Sequence, residues 1–139
     1  MSRRYKSGTA REQGMLLPAR VEDYVAADNP VRAVDAYVDS LELVKLGFKN
    51  AAGDLSAGQP AYHPGVLLKL YLYGYLMRIR TSRMLERETQ RNLELIWLLE
   101  GLRPSYKTIA EFRKDNAQAL KAANRDFVNR PGIPGDAIS

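Results

Sequence analysis

At 139 residues, 45% of them hydrophobic, the chain has material for one domain with a modest core, and two would be crowded. It has no cysteine and one histidine, His63, which excludes disulfides, thiolate metal sites and a histidine-based metal cluster; no cofactor is expected. The formal net charge of +5 is unevenly placed: residues 1–14 carry +3, residues 15–77 carry −2, residues 78–125 carry +5 and the remainder −1. A basic arm and a basic C-terminal half around a mildly acidic middle point to an anionic polymer as partner, against the plainer reading of a protein that is merely basic.

Residues 1–14, MSRRYKSGTAREQG, are polar and basic, with too little apolar surface to offset ordering entropy, and are expected to form a flexible basic arm. Their charged start is followed by no apolar run, so no secretory signal is read and the expected location is cytoplasmic. Met15 to Tyr24 has a short apolar cluster broken by Pro18, which suits an extended segment or a single turn lying on the core. Asp28-Asn29-Pro30 is a helix start, with a capping side chain ahead of a proline at the first helical position. Val31, Val34, Val38 and Leu41 form one apolar stripe and Gly47 suits a stop, so the spacing predicts a helix from 30 to about 45. Phe48 to Ala61, with its glycines and proline, reads as a loop.

Pro64 opens a second helix in which Val66 to Met77 is apolar or aromatic except at Lys69 and Gly74. A helix apolar on nearly every face belongs inside a bundle, and this one is shorter than the roughly 20 residues of a membrane span. His63 reads as a helix-start residue rather than a catalytic one. Thr81-Ser82 offers a cap for a third pattern, Arg83 to Leu99, which puts Leu85, Leu93, Ile96, Trp97 and Leu99 on one broad face before Gly101 and Pro104 end it. Thr108 to Glu111 matches a capping box, and Ile109, Phe112, Asn116, Leu120, Ala123 and Phe127 form the stripe of a last helix. No convincing period-2 run is present. The prediction is an all-α helical bundle of about four to six helices over residues 15–128, followed by an irregular tail at 129–139.

Carboxylate chemistry needs acids that converge on one metal or one bond, whereas the acids here alternate with bases, as in Glu86-Arg87-Glu88 and Glu111-Phe112-Arg113-Lys114-Asp115. There is no histidine-based triad and no glycine-rich phosphate cradle, so no enzyme is expected. A sharper signal is the arginine row. Arg83, Arg87 and Arg91 recur every four residues over about 12 Å of helix, comparable with a few phosphate spacings. They repel one another unless an anion or an acid relieves them; the competing reading is that Glu86, Glu88 and Glu94 do so within the helix. Arg80, Arg83, Arg87, Arg91, Lys107, Arg113 and Lys114 are therefore the candidate nucleic-acid-binding residues. The Arg-Thr-Ser turn between the second and third helices permits a helix-turn-helix with the arginine helix as reader. Tyr71, Tyr73 and Tyr75 lie in an apolar run, which favours core positions over base stacking.

The stretches HPGVLLKLYLYGYL at 63–76, SRMLERETQRNLELIWLL at 82–99 and TIAEFRKDN at 108–116 resemble the N-terminal domain of InsH-like insertion-sequence transposases of the DDE class. The likeness extends less specifically from about Met15 to Val128. It implies a bacterial mobile element and a helical domain that binds the element's terminal inverted repeats ahead of a catalytic domain with three metal-holding carboxylates. The tail after Val128 does not resemble the family's continuation, and Asp136 does not sit in its first catalytic motif. A truncated or frameshifted copy is thus expected, one that binds DNA without transposing it and that pairs with itself or an intact transposase, with no membrane partner. The alternative from another class is a helical module that binds protein through its apolar central helix.

Overall fold

The computed structural model describes Gly8 and residues 20–49 and 62–131, so the expected arm, most of the interhelical loop and most of the tail lie outside the described residues. Every regular element among them is helical: a 3₁₀ turn at Val21–Tyr24, then α1 (Pro30–Asp39), α2 (Pro64–Met77), α3 (Ser82–Arg91), α4 (Leu93–Leu98), α5 (Tyr106–Asp115) and α6 (Ala117–Val128). The all-α prediction holds. None of these helices is long and apolar enough to cross a membrane.

The apolar helix α2 is the centre of the bundle, with Leu67, Leu68, Leu70, Leu72, Tyr73 and Leu76 all buried. Helices α1 and α4 pack on it and on each other, while α3 packs on α5 and α4, and α5 on α6. Lys69, one of the two interruptions of α2, is held 2.7 Å from Asp35 and 2.9 Å from Asp39 on α1. With Lys69 and Asp35 both 13% exposed, the pair joins α1 to α2 where an unpaired ammonium would be costly. The leucines of α2 are buried, and its exposed large apolar side chains are Tyr75 and Met77 at the C-terminal end.

Helix α1 starts as predicted, with the Asn29 side chain accepting from the N–H of Val31, but it ends at Asp39 rather than near 45. The Ser40 hydroxyl donates to the Tyr37 carbonyl at 2.6 Å, competing with the helical ladder. A separate turn follows, in which the Phe48 N–H reaches the Leu43 carbonyl and Gly47 takes φ +87°. This returns both Leu43 and Phe48 to the core, where Phe48 stacks on Phe112 with ring centres 6.1 Å apart.

The two long helices predicted for the C-terminal half are each broken at an asparagine. Asn92 takes an extended backbone (φ −89°, ψ 116°), and its side chain accepts from the N–H groups of Glu94 and Leu95, so it starts α4 instead of continuing α3. Asn116, which is buried, accepts from the Lys49 N–H at 2.7 Å and donates to the Phe112 carbonyl, dividing α5 from α6. The capping box expected at Thr108 gives way to Ser105, which accepts from the Thr108 N–H one turn earlier. The stripe predicted from Ile109 to Phe127 is buried throughout nonetheless. Glu22 of the 3₁₀ turn accepts from the Trp97 indole and from Arg32, at 2.8 Å each, closing the N-terminal side of the bundle.

The Nδ1 of His63 accepts from the Gly65 N–H at 2.9 Å and so caps α2, a bond that protonation of Nδ1 removes. Burial, with the Lys69 charge nearby, holds the His63 pKa below its usual 6.5. A base with a depressed folded pKa contributes stability that is complete above the unfolded pKa and is lost as pH falls below it. His63→Asn keeps a capping acceptor that does not titrate. Chemical-denaturation midpoints for the two proteins should agree at pH 7.5 and diverge between about pH 6.5 and 5, where the native protein weakens more. Parallel profiles would show that the imidazole cap is not linked to pH.

Candidate nucleic-acid interface

The candidate interface begins where α2 stops. Arg78 adopts the left-handed conformation (φ 62°, ψ 34°), and the N–H of Ile79 returns to the Gly74 carbonyl at 2.8 Å, so the chain reverses sharply. A Cβ on Gly74 would lie 3.0 Å from the Ile79 carbonyl oxygen and from Leu85 Cδ2, which is why this interruption of the apolar run is a glycine. Thr81 then accepts from the Met84 N–H and starts α3. The turn therefore places Arg78 and Arg80 directly before the arginine helix.

Along α3, Leu85 and Thr89 are buried, which points Arg83, Arg87 and Arg91 outward in steps of about 40° around the axis. Gln90 and Met84 flank the row on the exposed side. Helical periodicity places both there, although composition alone does not single them out. Of the three glutamates that could neutralise the row within the helix, only Glu88 does so, with Arg91 Nε 2.7 Å away. Bonds from Asn92 and Arg91 hold the Glu88 carboxyl below the usual carboxylate range. Glu86 accepts instead from the N–H of Tyr106 at the start of α5, and Glu94 accepts from the Tyr73 hydroxyl and from Asn29 Nδ2. The guanidinium of Arg83 lies 4.0 Å over the Tyr106 ring, keeping its charge at the seam between α3 and α5. Arg87 forms no ion pair among the described residues.

The remaining candidates separate into two roles. Lys107 and Lys114 are exposed on α5, beside the arginine helix. Arg113 is only partly exposed: its guanidinium donates to the Arg80 carbonyl at 3.2 and 3.3 Å and to Ser82 Oγ at 3.4 Å, and lies 5.7 Å from the Tyr71 ring. It braces α5 against the turn while leaving its charge there, a dual use that no sequence pattern indicates. Arg80 is exposed in that same turn. The tyrosines also divide. Tyr73 is core, as expected, but Tyr71 is half-buried and Tyr75 is 43% exposed. No group of three acidic or histidine side chains placed to hold a metal occurs among the described residues.

A family model described as Transposase domain (DUF772) matches residues 19–115, from just before the 3₁₀ turn to the end of α5. The chain belongs to this transposase-domain family. No curated protein and no solved structure gives a significant match. The family match covers the whole arginine face, including the turn, α3 and the bracing Arg113 of α5, and stops where Asn116 breaks the last helical pattern.

Arg78 holds a backbone conformation that costs a residue with a Cβ about 1–2 kcal/mol relative to glycine. Arg78→Gly should therefore raise the unfolding free energy, by about 0.5–1 kcal/mol after the greater entropy of glycine in the unfolded chain is set against it. A lower denaturation midpoint would mean that the contacts of the Arg78 side chain outweigh its backbone strain.

Proposed function

We propose that this chain is the DNA-binding part of an insertion-sequence transposase and that α3 is the element that meets the terminal inverted repeats of the DNA. The observation that carries this reading is the outward arginine row whose nearby glutamates, Glu86 and Glu94, are engaged elsewhere. Positive charge that repels itself along one helix face is relieved by phosphates, which give binding a strong dependence on salt. A single helix fits the major groove. There an outward arginine suits guanine and Gln90 suits adenine, while Arg80, Lys107 and Lys114 suit the flanking backbone. Membership of the transposase-domain family supports the same reading.

Replacing Arg83, Arg87 and Arg91 together with alanine should lower affinity for an inverted-repeat duplex by orders of magnitude and reduce the salt slope by about two to three units. Anisotropy titrations at several salt concentrations measure both, with circular dichroism confirming the fold. Unchanged affinity in the folded triple variant would remove α3 from the interface.

The same assignment implies binding without cutting by this chain. Two-metal phosphoryl transfer needs carboxylates converging on ions about 3.5–4 Å apart, whereas Glu86, Glu88 and Glu94 are each bonded to a different partner. Supercoiled plasmid incubated with the purified chain and magnesium or manganese should stay intact. Nicking that disappears on mutating one acidic residue would overturn the non-enzymatic reading.

A further inference from the structure

A groove of about 340 Å³ opens beside the α2–α3 turn, with Tyr71, Gly74, Tyr75, Arg78, Arg80 and Arg113 among its lining residues. Three arginines line one concavity, and no acidic residue lines it among the described residues. Arg113 is fixed by the Arg80 carbonyl and by Ser82, so its charge is positioned before any ligand arrives. Tyr75, one helical turn beyond Tyr71, contributes a ring that is 43% exposed in a helix whose other aromatic and aliphatic side chains are mostly buried. The volume falls in the range of about 300–1,000 Å³ typical of small-molecule sites.

From this juxtaposition we infer that the groove holds one unpaired nucleotide next to the bound duplex, its base stacked on Tyr75 and its phosphate met by Arg80 and Arg113. The inference rests on α3 being the duplex-binding helix. A continuous duplex offers phosphates and base edges but hides the faces of its bases in the stack, so it would leave the exposed phenol ring unused. An unpaired nucleotide supplies both halves of the match: a π-face for the ring and an anion for the guanidiniums. A free phosphate or an acidic peptide would use the arginines alone. The groove also adjoins the start of α3 through the four-residue turn, so a nucleotide displaced from a duplex lying on α3 has a short path into it.

The test compares a fully paired duplex with a set of duplexes in which a single adenine bulge is moved one step at a time. Anisotropy is measured for the full chain and for Tyr75→Ala, Tyr75→Phe and Arg87→Ala. At least one bulged duplex should bind on the order of tenfold more tightly than the paired one. Tyr75→Ala should abolish that gain without changing affinity for the paired duplex, and Tyr75→Phe, which keeps the ring, should retain it. Arg87→Ala should weaken binding to both. If the alanine variant does not fold, Tyr75→Leu removes the π-face while keeping apolar bulk. Equal affinity for every bulged and paired duplex, or a gain that survives loss of the ring, would overturn the groove assignment and leave the α3 reading intact. Binding to bulged but not to paired DNA, or to neither, would overturn the α3 reading and with it the groove inference that rests on it.

Discussion

The phenol hydroxyl of a buried tyrosine has to find partners, and the need to satisfy Tyr73 shapes much of this bundle. Its hydroxyl donates to Glu94, and Asn92 donates to it at 3.1 Å. Burial and the Glu94 carboxylate raise the Tyr73 pKa, so the group remains a neutral donor. Glu94 also accepts from Asn29, the residue that caps α1, while Asn92 caps α4 and donates to Glu88 of α3. One partly buried network thus connects the start of α1, α2, the second half of α3 and the start of α4. A network of this kind, with its members mutually bonded, specifies one arrangement of helices more sharply than apolar packing alone.

That network has an electrostatic consequence on the opposite side of α3. Glu94 is drawn inward to Tyr73 and Asn29, and Glu86 is drawn sideways to the first N–H of α5. Both acids lie close in sequence to the arginines, yet neither forms an ion pair with the row. The core therefore removes the countercharge that the helix would otherwise supply to itself. Fold and candidate interface are coupled here through the choice of hydrogen-bond partners.

Basic residues serve two physical ends in this chain. Lys69 and Arg113 are held within the structure, by Asp35 and Asp39 in one case and by the Arg80 carbonyl in the other, and they join helices. Arg87, Lys107 and Lys114 face outward. Net charge in sequence windows counts both kinds alike, so the basic C-terminal half overstates the number of freely presented cations. Helix α6 lies beyond the family match but completes the core, since Tyr37 packs against Phe127 with ring centres 5.3 Å apart and donates to Asp126.

Local stereochemistry and periodicity were sufficient for the helical class, the starts of α1 and α2, the burial of α2 and the stripe from Ile109 to Phe127. Each of these follows from side-chain spacing or from a cap within a few residues. The outward direction of Arg83, Arg87 and Arg91 was legible for the same reason, because a four-residue spacing must share one helix face. The breaks at Asn92 and Asn116 were not, since an asparagine is tolerated within a helix unless distant groups recruit it. Tyr73 and Lys49 are those groups, and only the fold brings them near. The same limit applies to the acids and to Tyr75. Which glutamate neutralises an arginine, and which tyrosine of an apolar run is left uncovered, depends on what lies across the gap between helices. Tertiary structure alone decided both, because hydrogen-bond competition and burial are properties of neighbours in space.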